Sequence, residues 1–311
     1  MPTCLVTGGA GFIGSHLVDA LVSRGSVVRV VDDLSTGFLE NLTANPNVEF
    51  VEADLAEPGV ASAAVDGIEW VVHLAAIPSV PRSVREPART HRANVEATQA
   101  LLLAARDANV RRVVQASSSS VYGESETLPK HEEMHPSPLS PYALHKLIAE
   151  QYAALYTRLY GLETVSLRFF NVFGPRQSPA SQYSGVISLF TAALLEGRSP
   201  TIYGDGEQTR DFTYVSDVAE GILLSLSAPE ASGRAINLAR GGRTSVNSLY
   251  AMVQRATGVE REALYKEPRT GDIRDSQADI SLARKLLGFE PSVAVEDGLR
   301  RTVEWQRSNG L

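Results

Sequence analysis

Tyr142 and Lys146 stand four residues apart in the run Pro141-Tyr142-Ala143-Leu144-His145-Lys146. On a helix that spacing puts both side chains on one face. A phenol titrates at about 10, and an ammonium within a few ångströms lowers that value by roughly 1–3 units by favouring the phenolate. The pair can therefore act as a general base near working pH. The same spacing also suits a helix that merely exposes one tyrosine and one lysine, so the rest of the chain has to decide.

The elements needed to position such a pair are present. Thr3-Cys4-Leu5-Val6 reads as a buried strand that runs into Gly8-Gly9-Ala10-Gly11-Phe12-Ile13-Gly14 and then into a helical pattern from Ser15 to Ser23. Glycines so spaced permit a tight turn, close approach of backbone to a pyrophosphate and close packing of helix on strand. By itself the run is also compatible with a plain glycine-rich turn. A second strand, Val27 to Val31, ends in Asp32, an acid placed to accept hydrogen bonds from an adenosine ribose. Asp32 and Asp33 would repel a 2′-phosphate, which favours NAD over NADP, although Asp33 equally suits a solvated turn. Ser35-Thr36-Gly37 forms the loop expected over that ribose.

Val48-Glu49-Phe50-Val51 gives a third strand, and Asp54 beyond it suits either an adenine amino contact or a helix cap. Trp70 to Ala76 reads as a fourth strand whose small final residues, Leu74-Ala75-Ala76, admit a cofactor to the backbone. The helical stretch from Pro87 to Asn109 holds Asn94, which either satisfies local backbone or orders a nicotinamide. Val113 to Ala116 is a fifth strand and delivers Ser117-Ser118-Ser119-Ser120-Val121-Tyr122-Gly123 to the carboxyl end of the sheet, where doubly wound folds bind ligands. Thr164 to Phe169 is a sixth strand, and Ala235 to Leu238 returns to the sheet. Alternating strands and helices imply an α/β, doubly wound parallel sheet of Rossmann type, covered on both faces. A second, smaller α/β substrate domain is interleaved with it. The expected division is 1–176 and 211–241 for the dinucleotide half, and 177–210 with 242–311 for the other.

Composition limits the alternatives. The chain has 311 residues, long enough for two lobes, and 43% apolar content marks it as globular. A net charge of -7 without a basic tract argues against a nucleic-acid partner. The single cysteine, Cys4, sits in the first apolar run, which excludes an internal disulfide and suits a reducing cytoplasm. No apolar run approaches the ~18–20 residues that span a bilayer, and the N-terminus lacks a signal pattern, so an unprocessed cytoplasmic protein is expected. The histidines lack metal-ligand spacing, and no metal is expected.

Taken together, Gly8/Gly11/Gly14, the Ser118 loop ending Val121-Tyr122-Gly123, the Tyr142/Lys146 pair and Arg168-Phe169-Phe170-Asn171 resemble the extended short-chain dehydrogenase/reductase family. Nearly end to end, the chain is similar to the NAD-dependent nucleotide-sugar 4-epimerases. That resemblance implies bound NAD, a UDP-sugar substrate, and a homodimer joined through a four-helix bundle built from Pro87 to Asn109 and Tyr142 to Tyr160. It implies that Tyr142 takes the proton of the sugar 4-hydroxyl, that Lys146 tunes the phenol and holds the nicotinamide ribose, and that Ser118 relays the proton. It adds Phe12, Ile13, Leu55 and Phe169 to the cofactor set. Pro78, Ser79, Ser119, Ser120, Asn171, Gly185 and Val186 join the substrate set. Tyr203 matches an aromatic that stacks on uracil, Arg210 and Arg269 match diphosphate-binding arginines, and Asp272 matches an acid beside the uridine ribose.

Related 4,6-dehydratases and decarboxylases carry an Asp-Glu pair where this chain has Ser119-Ser120, so their chemistry is not expected. Ser276 stands at the position where glucose-only enzymes carry a tyrosine, and Pro78 where they carry a lysine. Both point to room for a 2-acetamido group, hence to UDP-GlcNAc/UDP-GalNAc as well as UDP-Glc/UDP-Gal. The rival readings are a UDP-glucuronate 4-epimerase, another nucleotide-sugar oxidoreductase of this fold, and a non-catalytic NAD-binding sensor.

Overall fold

Every residue of strand β1 (Thr3–Thr7) after the first is buried. Because strand side chains alternate between faces, Cys4 and Val6 join the core on one side of the sheet and Leu5 the core on the other. Such a run, apolar on both faces, belongs to a covered parallel sheet. The computed structural model describes residues 3–178, 185–268 and 274–310 and shows that sheet. In chain order come α1 (Phe12–Ser23), β2 (Val27–Asp32), β3 (Val48–Glu52), α2 (Val60–Ala64) and β4 (Trp70–His73). They are followed by α3 (Val80–Arg85), α4 (Pro87–His91), α5 (Ala97–Asp107), β5 (Arg112–Ser118), α6 (Pro141–Tyr160) and β6 (Glu163–Phe169). A last strand, Arg234–Leu238, adds itself outside β6.

Across the seven-stranded sheet the order is Arg234–Leu238, β6, β5, β4, β1, β2, β3. All neighbours are parallel, with Thr7 opposite both Val31 and His73, and Ser118 opposite Phe169. Connections change direction between β1 and β4, and the crevice beyond the carboxyl ends of those strands is where such sheets take ligands.

Helices α7 (Val186–Leu195), α8 (Val215–Ser227), α9 (Val246–Thr257), α10 (Ser281–Leu287) and α11 (Val295–Ser308) complete the chain. One face of the sheet packs Leu17, Leu21, Ile222 and Leu226 of α1 and α8, and the other packs Leu101, Ala105 and Tyr156 of α5 and α6. A separate core gathers Ile187, Phe190, Leu249, Val253 and Leu299 from α7, α9 and α11. Phe12 and Ile13, at the start of α1, pack against that third core.

Two elements differ from the sequence expectation. The fourth strand ends at His73, although Leu74 and Ala75 stay tied to Thr7 of β1 through their backbone N–H groups before the chain departs at Ala76. The stretch from Pro87 to Asn109 is not one regular helix but α4, a π-helical turn over Arg92–Glu96, and α5. The cause lies in Asn94, whose side chain accepts from Ile77 N at 2.7 Å and donates to Ile77 O at 3.3 Å. That buried pairing matches a backbone edge like a strand would, and the extra residue of the π turn accommodates it. Among the described residues no helix is long and apolar enough to cross a membrane, and no cluster of residues could hold a metal ion.

Candidate active site

The glycine turn is built by contact. Gly8 has φ +70°, and a Cβ there would lie 2.6 Å from Ala75 N. At Gly14 a Cβ would lie 2.1 Å from Gly8 O. The N-cap of α1, Gly11, offers no side-chain acceptor to the first helical turn, so those N–H groups remain for an anion, and the helix dipole favours one there. Asp32, at the end of β2, accepts from Ala10 N at 3.0 Å and from Leu34 N at 2.9 Å. Burial raises its pKa, and these backbone donors oppose the rise. The acid therefore braces the glycine turn in addition to standing where a ribose would be met. Asp33 is exposed and bonds Ser35 N at 2.9 Å, Thr36 is exposed, and Gly37 is buried against Asp32. This cradle of close-packed glycines, open helix start and strand-end acid fits a dinucleotide pyrophosphate and ribose.

Other expected cofactor contacts are already engaged within the chain. Asp54 accepts from Ala56 N at 2.8 Å and from Arg92 Nη1 at 2.7 Å, so both its oxygens have partners, while Leu55 beside it is buried. Asn94 bonds the Ile77 backbone, in keeping with the first of its two readings. Leu74 and Ala75 stay close to β1, with Leu74 N donating to Thr7 O at 3.0 Å. Ala76 follows them, half-buried.

Strand β5 and helix α6 carry the candidate reacting groups. Ser140 caps α6 by accepting from Ala143 N at 3.2 Å, Pro141 fills the first turn and Gly161 ends the helix in the left-handed conformation, as capping physics favours. Four consecutive residues at the end of β5 are each fastened to this helix. Gln115 Nε2 donates to Ala149 O at 2.8 Å, and Lys146 Nζ donates to Ala116 O at 2.9 Å. Ser117 Oγ donates to Glu150, and Ser118 shares a hydrogen bond with the Tyr142 hydroxyl. Ser118 Oγ also accepts from Ser120 N at 3.2 Å and Ser120 Oγ at 2.9 Å. Ser119 follows in the same helical turn, and Phe169 lies opposite Ser118 on β6.

The electrostatics depart from the simple expectation for Tyr142. Burial raises its pKa, with the Ser118 hydrogen bond pulling the other way. Lys146 gives one of its three N–H donors to Ala116 O, and its own pKa falls to about 8 because burial disfavours the ammonium, with Glu150 opposing. His73 on β4 is held neutral, pushed down to about 3 by burial and then by Lys146.

The expected substrate residues fall into groups. Ser79 caps α3 by accepting from Arg82 N, beside exposed Pro78. Asn171 receives Thr213 N on its carbonyl at 3.2 Å and donates to Asp211 O at 3.4 Å. Arg210 donates to Thr209 O at 2.9 Å and Arg274 O at 3.0 Å, and Ser276 N donates to the same Thr209 O at 3.1 Å. Arg210 and Ser276 are thus brought together. Tyr203 ends a short strand paired to Leu264–Lys266 and is bridged to the Arg210 segment by Gln208 Nε2, 2.7 Å from Tyr203 O. Gly185 faces Gln177 Nε2 just before α7, which Val186 begins. Arg269 and Asp272 lie outside the described residues.

Sequence reasoning missed three contributors. Ser83, fully buried on α3, accepts from Tyr142 N at 3.0 Å and so holds the backbone of the candidate base. Glu150 and Arg168 form a buried ion pair directly behind Lys146, with N···O distances of 2.9 and 2.7 Å. A glutamate four residues after Lys146, and an arginine inside the apolar strand Val165 to Phe169, were the signals available.

A model of the NAD dependent epimerase/dehydratase family matches residues 4–239. The UDP-glucose 4-epimerase of Mycolicibacterium smegmatis is 41% identical over 309 residues, 98% of each chain. Among solved structures, a UDP-N-acetylglucosamine 4-epimerase from Methanobrevibacter ruminantium, in complex with UDP-N-acetylmuramic acid, aligns with a TM-score of 0.95 at 40% identity, covering 99% of both chains. The UDP-glucose 4-epimerase of Thermotoga maritima with UDP-glucose also gives 0.95 at 40% identity, covering 99% of this chain and 100% of that one.

Proposed function

The chain belongs to the NAD dependent epimerase/dehydratase family, and from that premise we propose that it is an NAD-dependent 4-epimerase of UDP-hexoses. The observation that carries this reading is the fastening of Gln115 to Ser118 onto α6, which sets Ser118, Tyr142 and Lys146 in one arrangement. Gly8, Gly11, Phe12, Ile13 and Gly14 would hold the pyrophosphate, and Asp32 with the 33–37 loop the adenosine ribose. Bound there, NAD would supply reversible hydride exchange at the sugar C4, the chemistry that links the two epimers through a transient 4-keto sugar.

The protein's own groups manage the proton. Tyr142 Oη takes the proton of the 4-hydroxyl, with Ser118 Oγ, already bonded to it, as relay. Burial keeps the phenol protonated in the free protein, so its use as a base requires a retained positive charge on Lys146. Lys146 titrates near 8, so that charge is present below about pH 8 and is lost above. Tyr203, Arg210, Arg269 and Asp272 bind the nucleotide, which leaves the hexose to turn about its diphosphate link. Ser276 leaves room for a 2-acetamido group, so both UDP-Glc/UDP-Gal and UDP-GlcNAc/UDP-GalNAc pairs are substrates.

On this reading the dinucleotide half comprises 1–176 and 211–241, and the nucleotide-sugar half 177–210 and 242–311. The protein works in the cytoplasm as a homodimer through α5 and α6, a pairing supported by the exposed apolar Leu103, Leu144, Leu159 and Tyr160 on those helices. The test is incubation with a panel of UDP-sugars without added reductant. Interconversion at C4 is redox-neutral and proceeds to equilibrium, whereas a reductase stalls. Turnover of UDP-glucuronate alone would move the assignment to the uronate branch. Replacing Tyr142 by Phe should lower turnover by about 10²–10⁴-fold while nucleotide binding persists; near-normal turnover in that variant would remove Tyr142 from the reaction.

A further inference from the structure

Lys146 and Glu150 are both buried and stand one helical turn apart on α6, anchored to consecutive residues of β5 through Ala116 O and Ser117 Oγ. The Glu150 carboxylate is held on both oxygens by Arg168, at 2.9 Å from Nε and 2.7 Å from Nη2. Arg168 in turn donates to Tyr122 Oη at 2.9 Å and lies over its ring, and that hydroxyl donates to Asn237 Oδ1 at 2.6 Å. The buried carboxylate is therefore fixed directly from two strands, by Ser117 of β5 and Arg168 of β6, and Tyr122 steadies the arginine in turn.

A buried ion pair contributes little net stability over apolar residues of the same shape, because desolvation offsets the attraction. Its presence directly behind Lys146 calls for another role. We propose that Glu150 is a positioning residue for Lys146: a locked carboxylate, one turn behind the ammonium, that keeps a positive charge in the site beside Tyr142. This rests on the assignment of Tyr142 and Lys146 to the reaction.

The other titratable groups around Lys146 do not share this task. His73 on β4 is neutral, His145 on α6 is buried against His91 of α4, and Tyr142 is protonated in the free protein. Arg168, from β6, is a cation spent on Glu150 and Tyr122. Among the described residues, the charged neighbour that favours the Lys146 ammonium against its burial is Glu150.

The experiment is the pH dependence of kcat/KM for UDP-sugar epimerisation by NAD-loaded enzyme. The wild type should lose activity above about pH 8. Glu150→Gln should move that alkaline limb down by about one pH unit, a roughly tenfold loss at pH 9 with a much smaller change at pH 6.5. Because Glu150→Gln leaves Arg168 buried and unpaired, a Glu150→Leu/Arg168→Met double variant removes both charges at similar volume. It should recover thermal stability yet keep the shifted limb. Glu150→Asp, which keeps the charge, should hold the limb near the wild-type position. A folded double variant with the wild-type pH profile would overturn the proposal, as would a Glu150→Asp limb shifted as far as that of Glu150→Gln. Lys146→Ala separates the two levels: if it turns over normally the site assignment itself fails, whereas an inactive Lys146→Ala with unshifted Glu150 variants refutes only the role of Glu150.

Discussion

Replacing Gly14 by Ala sets two effects of known size against each other. In an ordinary helix interior alanine is favoured over glycine by about 1 kcal/mol. Here the new Cβ would lie 2.1 Å from Gly8 O, 2.7 Å from Gly9 Cα and 2.9 Å from Gly8 C. All three are backbone atoms of the turn and cannot swing aside. Real Cβ atoms essentially never come within 3.0 Å of another heavy atom, so α1 must recede from the turn by about 1 Å. Leu17, Val18 and Leu21 of the same helix are packed in the sheet core, and overpacking of this kind costs about 1–3 kcal/mol or more. Packing outweighs propensity, and the variant should melt lower than the parent. On the role proposed for the turn, NAD should be lost as well, because the turn moves with the helix; a tenfold or greater weakening is expected. The assay is thermal unfolding with and without NAD, together with cofactor content of the purified protein. Gly59→Ala is the control: at φ +83° with no atom within 4 Å, it bears only the left-handed backbone cost of about 1–2 kcal/mol and should leave NAD affinity alone. An unchanged or raised melting point for Gly14→Ala, with normal NAD binding, would refute the reasoning.

Two further outcomes follow. Ser276→Tyr, beside Arg210 through Thr209 O, should lower kcat/KM for the acetamido sugar by at least about tenfold, the equivalent of ~1.4 kcal/mol of overpacking; UDP-Glc should be much less affected, and equal loss on both would remove the size argument. Asp211 is fully buried, accepts from Gly241 N and Ala278 N, and is pushed up by burial to about 6. Its folded pKa exceeds the ordinary 3.8, so its stabilising effect is full below about pH 4 and is lost as pH rises through 6, a change of about 3 kcal/mol. Asp211→Asn cannot ionise, so the stability difference between it and the parent should change by that amount from pH 4 to 7 in urea unfolding. Parallel stability curves would exclude the assignment.

What could be read from the residues follows from where the governing forces are local. The sheet strands were legible because each is a short apolar run ended by glycine or a polar residue, and the parallel arrangement because helical patterns alternate with them. The glycine turn was legible because its requirements, a positive φ at Gly8 and missing Cβ atoms, are written in residue type. The extent of β4 was not, because Leu74 to Ala76 are as apolar as the strand before them, while the regular pairing ends at His73. The π turn was hidden too, since it answers a pairing of Asn94 with Ile77, seventeen positions earlier. For Tyr142 the spacing identified the helix face but not the dryness of the site, and burial reversed the expected direction of its pKa. Glu150 drew no reading from the sequence and Arg168 entered only as part of a motif, since only the third dimension shows the two as a pair sealed in the interior.

The four-point seam between β5 and α6 clamps the groups proposed to react. Inverting a stereocentre nevertheless needs a half-turn of something. With the wall clamped, the rotor has to be the guest: a ring tethered at one end and loose at the other. A wall of that kind is indifferent to what hangs from the far carbons of the ring. Diversification to new sugars is then a matter of reshaping the opposite rim, while the clamped side can be inherited unchanged.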